Sequence, residues 1–352
     1  MARSKNVIGL DIGTSSVKLV HLNETKKGIH LLDCAAEALP RDAIVDGQLM
    51  NATAVVETVR HLVEKRKLKT KEVAVSISGR SVIIKKISLP DMDRNALDDT
   101  IKWEAEQHIP FDINDVYLAY EILQRRPEQG QMDVLLVAAK QEVVEERADV
   151  VRDAGLIPVI VDVDCFAVQN AFEASYGTSP GESVVLIDVG ESMSNINIVS
   201  NGMTTFTRDI GIGGKHFTEE LRKRLNISAE QAQAYKIGGH QIEVQGVVPQ
   251  EVQRILRAVC DNMAAEIHRS LDFFLATSSE GRVSRIYLSG GTAQIGALTQ
   301  TMENRIGVEV EVLDPLRGLK VNGRQVDLDF VNRIRPSLAV AVGLGLRKQA
   351  GR

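Results

Sequence analysis

The sequence predicts an α/β protein of two similar lobes, the first interrupted by a small inserted module. Three observations carry this expectation. Strand-like runs alternate with helical periodicity along the whole chain. The pattern strand, Asp, one residue, Gly, polar cluster, strand occurs twice, as VIGLDIGTSSVKLV from Val7 and VVLIDVGESMSNINIV from Val184, so that Asp188 and Gly190 follow Asp11 and Gly13 by 177 residues each. Between the repeats a β-α-β-β-α pattern spans 81–155. The expected first lobe is 1–182, with its core in 1–80 and 156–182. The second is 183–352, with its core in 183–220 and 283–352 and a helical or mixed subdomain in 221–282.

Each element follows from local pattern. Val7 to Gly13 is an apolar strand ending in a tight glycine turn, and Val17 to Leu22 alternates as its hairpin partner. Thr53 to Arg66 places Val55, Val56, Val59, Leu62 and Val63 at helical spacing, and Val73 to Gly79 returns as a strand. Within the module, Val82 to Leu89 is a strand. Asp93 caps a helix carrying Leu97, Ile101 and Ala105 until Pro110 stops it, and the acidic cluster Asp91, Asp93, Asp98 and Asp99 suits that helix's N-terminal dipole. Val116 to Leu123 and Met132 to Ala139 are strands flanking the turn Arg126 to Gly130, and Gln141 to Asp153 is a helix. Pro158 to Asp162 resumes the main body, followed by a helix from Cys165 to Ala174. The turn-rich Ser175 to Glu182 separates the lobes. In the second, Val252, Ile255, Val259, Met263, Ile267, Leu271 and Phe274 mark one apolar helix face. A strand at Arg285 to Ser289 and a last helix at Ser337 to Arg347 complete the chain.

Composition excludes several classes of function. The 352 residues carry 42 Lys and Arg against 47 Asp and Glu, a net charge of −5, which argues against a broadly basic nucleic-acid surface. Cys34, Cys165 and Cys260 form no CxxC pair, so neither a disulfide framework nor a thiolate zinc site is expected. The histidines show no metal-binding spacing. The apolar runs Val7 to Leu10 and Leu338 to Leu346 are too short for a signal peptide or a membrane helix, so a cytoplasmic protein reaching the membrane only through a partner is expected. Gly211-Ile212-Gly213-Gly214 lacks the third spaced glycine and the later acidic residue of a dinucleotide fingerprint, and reads instead as a helix start whose N–H groups and Lys215 face a ligand.

Two Asp-x-Gly hairpins facing each other across a cleft suit a nucleotide. Glycine lets backbone N–H groups approach phosphate oxygens, hydroxyls add further bonds, and the two carboxylates hold Mg²⁺ or orient water. One such hairpin alone is an ordinary turn. The pair, with a third glycine turn at Leu288-Ser289-Gly290-Gly291-Thr292, resembles the actin-like ATPase superfamily over essentially the whole chain. That resemblance implies two duplicated ribonuclease-H-like halves. It implies ATP contacts from Gly13, Thr14, Ser15, Ser16 and Lys18 in the first lobe and from Gly190, Glu191, Ser192, Gly213, Gly214 and Lys215 in the second. Gln233, Lys236, Gly290, Gly291 and Thr292 are the implied adenosine contacts, and Asp11 and Asp188 the implied partners of Mg²⁺, directly or through water. The superfamily's adenosine helix usually reads E-x-x-K, whereas Gln233 stands three residues before Lys236 here; an amide still bonds a ribose hydroxyl. The helices after Val161 and at Ser337 to Arg347 resemble the hinge helices, which implies Asp164, ahead of Asp162, as the water-activating carboxylate.

The inserted module, in place of the small subdomain of actin, resembles the FtsA and PilM branch. Trp103 to Phe111 is similar to the PilM-family signature E-x-E-x-x-I-P-F, and Arg208 to Gly214 to that family's next motif. No amphipathic tail such as FtsA uses follows the last helix, so PilM is the nearer resemblance. It implies an ATP-binding scaffold of the type IV pilus machine, at most a slow ATPase, that binds the cytoplasmic N-terminal peptide of a PilN-like bitopic inner-membrane protein. The peptide is expected to lie extended between the module and the first lobe, with Trp103 to Phe111 in the groove wall. Contacts with pilus motor ATPases and the platform protein, and assembly into a homo-oligomeric ring, stay open at this stage, as does Trp103 between core packing and docking. The alternatives are an FtsA-like division protein and an actin-like ATPase or sugar-kinase-type enzyme.

Overall fold

The computed structural model describes residues 7–45, 47–238, 249–278, 282–323 and 326–348. The first lobe begins with β1 (Ile8–Ile12), β2 (Ser16–Thr25), β3 (Gly28–Ala38), the short ribbon β4 (Ile44–Val45) and β5 (Gln48–Leu49), α1 (Ala52–Arg66) and β6 (Glu72–Ile77). The module follows as β7 (Val82–Pro90), α2 (Arg94–His108), β8 (Val116–Arg126) and β9 (Gln131–Lys140); then come α3 (Gln141–Asp153), β10 (Ile157–Val163) and α4 (Asp164–Tyr176). The remaining chain runs β11 (Ser183–Val189), β12 (Ser194–Ser200), β13 (Met203–Ile210), α5 (Gly214–Leu225), α6 (Ala229–Lys236), α7 (Pro249–Thr277), β14 (Val283–Ser289), α8 (Gly296–Ile306), β15 (Val310–Val312), β16 (Lys320–Val321), α9 (Leu328–Ile334) and α10 (Ala339–Gly345).

The two main sheets are built alike. One has the order β10-β6-β1-β2-β3-β16 and the other β13-β12-β11-β14-β15, each an antiparallel meander joined to parallel strands. The repeat extends to register: Asp11 lies opposite Lys18 across one hairpin and Asp188 opposite Asn195 across the other. Both turns close in the same way, with Gly13 N–H donating to Ser16 O at 3.1 Å and Gly190 N–H to Met193 O at 3.0 Å.

Helices α4 and α10 lie between the sheets. Ala167, Val168 and Phe172 of α4 pack with Val184, Leu186 and Tyr287 of the second sheet, and with Val340 and Leu344 of α10. Glycine permits the approach: a Cβ on Gly343 would stand 1.7 Å from Ala167 O, and one on Gly9 would stand 2.0 Å from Ala341 O. The last helix is shorter than expected. A 3₁₀ turn at Arg335–Leu338 precedes α10, with Pro336 as its second residue and Ser337 Oγ donating back to Ile334 O.

In the module, a three-stranded sheet of order β7-β9-β8 carries α2 on one face. Asp93 caps α2 by accepting from Ala96 N, and the helix stops just before Pro110. Helix α3 belongs elsewhere. Expected to complete the module, it buries Val150 and Val151 among Val55, Val59, Val73 and Val75 of the first-lobe core, since its apolar face matches that sheet. Among the described residues no helix is long and apolar enough to cross a membrane.

Candidate functional site

The two glycine turns meet across a cleft of about 240 Å³. Thr14 Oγ1 and Ser192 Oγ, one from each lobe, line it and are 3.1 Å apart. Each turn ends a buried strand, so Asp11 and Asp188 are delivered by the sheets themselves rather than by loops. Asp164, first residue of α4, joins them along the cleft. Lys18 Nζ donates to Asp11 Oδ2 at 2.9 Å, and Ser289 Oγ donates to Asp188 Oδ1 at 2.7 Å.

Charge is crowded here. Burial, with Asp164 and Asp11 adding to it, pushes the Asp188 carboxyl up to about 6, against the hydrogen bond from Ser289 and the charge of Lys18. Burial likewise raises Asp164, Asp11 adds to the effect, and hydrogen bonds from Ser76 and Ser78 and the Arg147 guanidinium oppose it. Burial works against the charged form of Lys18, but Asp11, Asp188 and Asp164 outweigh it and raise the ammonium above the ordinary lysine value. Among the described residues no three His, Cys, Asp or Glu side chains converge closely enough to hold a metal by themselves.

The second-lobe wall is a polar cage. Lys236 is buried, donating from Nζ to Glu191 Oε2 at 3.1 Å and to Gly214 O at 3.2 Å; burial lowers its pKa and Glu191 offsets part of the effect. A Cβ on Gly214 would meet Glu191 Oε2 at 2.5 Å and Thr292 Oγ1 at 2.6 Å, so glycine leaves room for both side chains. Thr292 Oγ1 donates to Gly190 O at 2.9 Å, tying the third glycine turn to the second. Gln233, in the position expected for Glu, lines the cleft and accepts from Thr218 Oγ1 at 3.2 Å.

Most expected residues gather here. Asp11, Gly13, Thr14, Ser15, Ser16, Lys18, Asp164, Asp188, Gly190, Glu191, Ser192, Gln233, Lys236, Gly290, Gly291 and Thr292 all line the cleft. Gly213 and Gly214 pack directly behind Glu191. Lys215 behaves differently: its backbone N–H meets Glu191 O, while its half-exposed side chain pairs with Glu219 one turn on. Asp162 is not in the cleft lining, being held by Arg347 Nε at 2.5 Å. The sequence reading missed Arg147, which is buried and donates from Nη1 to Ile12 O at 3.0 Å. An arginine on an amphipathic helix carries no local signal of such a role.

A second cavity, of about 210 Å³, opens beside β7. Val82, Ile83, Ile84 and Lys85 form one side, and Ser78, Gly79, Val163 and Cys165 of the first lobe continue it. The far side is Thr207, Arg208 and Asp209 of β13 in the second lobe. Both β7 and β13 are edge strands. Asp209 accepts from Asn195 Nδ2 at 2.6 Å and from the Gly79 backbone, joining the two sides at one end. The Trp103 to Phe111 segment does not line this groove, because α2 covers a face of the module sheet and not its β7 edge. Trp103 itself is 71% exposed.

Two sheets of one topology, joined by crossing helices and closing glycine turns over a carboxylate-lined cleft, define an actin-like ATPase fold. The chain belongs to the family of type IV pilus assembly protein PilM, whose family model matches residues 9–349. It is similar to a chain of a solved PilM–PilN type IV pilus biogenesis complex, at 27% identity and a TM-score of 0.85 over 98% of both chains. The cell division protein FtsA of Streptococcus pneumoniae is 23% identical across 90% of this chain and 77% of its own length. MreB 5 of Spiroplasma citri bound to AMPPNP shares the fold, with a TM-score of 0.51 at 13% identity over 96% of this chain and 94% of its own.

Proposed function

We propose that the chain is an ATP-binding scaffold on the cytoplasmic side of a type IV pilus machine, holding the N-terminal cytoplasmic peptide of a PilN-like bitopic protein. The observation that carries this reading is the likeness over 98% of both chains to a protein solved with PilN. The groove beside β7 suits an extended peptide: Val82 and Ile84 offer apolar contact, and two strand edges offer backbone partners. Without a membrane-crossing helix among the described residues, such a peptide would tether the protein to the inner membrane.

The cleft suits Mg·ATP. Lys18 and Arg147 face three carboxylates, and burial, with Asp164 and Asp11 adding to it, pushes Asp188 toward its neutral form. With no preformed three-ligand cluster among the described residues, the ion would be held by phosphate oxygens and water, with Asp11 and Asp188 completing its shell. When bound, Mg²⁺ neutralises phosphate charge. In this reading Asp164, which lines the cleft, would accept a proton from water, and Lys236 with Glu191 would form the adenosine wall. The FtsA-like and kinase alternatives are less favoured, since the PilM family model spans nearly the whole chain.

A pull-down of the full chain with a synthetic PilN N-terminal peptide, with and without Mg·ATP, tests this reading. Specific retention is expected. Failure to retain the chain in either state would overturn it.

A further inference from the structure

The helix that carries Arg147 starts where the module ends. Lys140 closes β9 and Gln141 opens α3 with no residue between them. The junction is gripped by the module: Gln141 Nε2 donates to Asn114 O at 3.1 Å and to Val116 O at 3.3 Å, Lys140 N–H donates to Ser81 O, and Lys140 Nζ lies 4.7 Å above the Phe111 ring. Phe111, the end of the signature, thus helps to hold this junction.

The other end of α3 is anchored in the first lobe through Val150 and Val151. Arg147 lies between junction and anchor, one turn before the latter. Its buried guanidinium donates to Ile12 O, the carbonyl directly before Gly13 in the first phosphate turn, and it lines the cleft with Asp164 and Asp11. The cation opposes the charge of both carboxylates, which is a second, electrostatic link between α3 and the cleft.

We infer that Arg147 is a positioning residue that transmits the state of the peptide groove to the nucleotide cleft, with α3 as the lever; this rests on the two-ligand reading proposed above. A peptide seated along β7 shifts the module sheet, the sheet carries the Lys140–Gln141 junction, and α3 tilts about its anchor. Packed helices slide by about 1–2 Å in such transitions, enough to stretch or break a hydrogen bond of 3.0 Å. Ile12 O and the turn after it then move relative to the phosphates. Coupling of this kind is reciprocal, so Mg·ATP must alter peptide affinity by the factor by which peptide alters nucleotide affinity.

The test is calorimetric titration of the PilN peptide into the full chain with and without Mg·ATP, for the wild type, Arg147→Met, Arg147→Lys, and a Gly-Gly insertion between Lys140 and Gln141. The wild-type affinity ratio should depart from one by about 5- to 150-fold. Arg147→Met and the insertion should bring the ratio to one, whatever each variant's own affinity for either ligand, and Arg147→Lys should keep part of it. A merely structural arginine would lower the melting temperature and leave the ratio unchanged. A wild-type ratio in folded Arg147→Met overturns the inference, and so does a wild-type ratio in the insertion variant, which decides the matter if Arg147→Met fails to fold. A wild-type protein that binds both ligands with a ratio of one also overturns it and leaves the functional reading standing; a wild-type protein that binds no peptide removes that reading itself.

Discussion

Asp188 sits where burial and two like charges act together, and its response to pH follows from that placement. Its pKa is raised from the ordinary 3.8 to about 6, so the neutral form is favoured in the fold. The group therefore stabilises the ligand-free protein fully below 3.8, and that contribution is lost as pH rises to about 6. A cation needs the opposite state. Mg·ATP affinity should rise with pH through about 6 as Asp188 ionises, measured by thermal shift across roughly pH 5 to 8. Asp188→Asn should melt higher without ligand at neutral pH, by about 1 kcal/mol, and lose most of its response to Mg·ATP. A variant that responds as the wild type does would remove Asp188 from the site. Asp11 and Asp188 were legible in the sequence because an Asp-x-Gly turn is a local feature and this one is repeated. Arg147 was not, since its partner Ile12 O is 135 residues away, and neither was the pairing of the Lys215 side chain with Glu219.

The crossing of α4 and α10 joins the two sheets, and it depends on a residue with no side chain. Gly343→Val would drive a methyl-bearing carbon into Ala167 O, which belongs to helix backbone and cannot swing aside. A loss of about 3 kcal/mol or more is expected, seen as a lower melting temperature and poor soluble yield. Normal stability would mean that the helices part without cost. The groove makes a different demand. Ile84 and Ile83 both line it, but Ile83 also packs in the module core, so Ile84→Asp is the cleaner probe. It should weaken peptide binding by about 30-fold, roughly the 2 kcal/mol of a buried anchor, and leave the thermal response to Mg·ATP intact. Loss of both responses would show an unfolded module, and retained peptide affinity would place the peptide elsewhere. Elements with a period and a cap, such as α1, α2 and α7, were readable from the chain. The packing of α3 and the place of β13 opposite β7 were not, because which sheet a helix covers and which strand edges face each other are long-range outcomes.

Both halves of the molecule repeat one topology, and the cleft between them is closed by Thr14 and Ser192, by the third glycine turn and by the Lys236 cage. A contact that bridges the cleft from both lobes favours holding a nucleotide over releasing it. Phosphate release at saturating Mg·ATP should run well below about 1 per second, the lower end for dedicated enzymes, and a faster rate would contradict a scaffold. The duplication was visible in the sequence as two glycine turns at one spacing. The contacts between glycine turns were not, because they join turns that lie far apart in the chain. Of the two proposed sites, one for nucleotide lies between the lobes and one for peptide beside β7, and amide hydrogen exchange reads both at once in the full chain. With PilN peptide, exchange should slow in 82–85 and 207–209; with Mg·ATP it should slow in 13–16 and 190–192. Protection by the peptide over α2 or α9 instead, or no protection of the glycine turns by Mg·ATP, would contradict it.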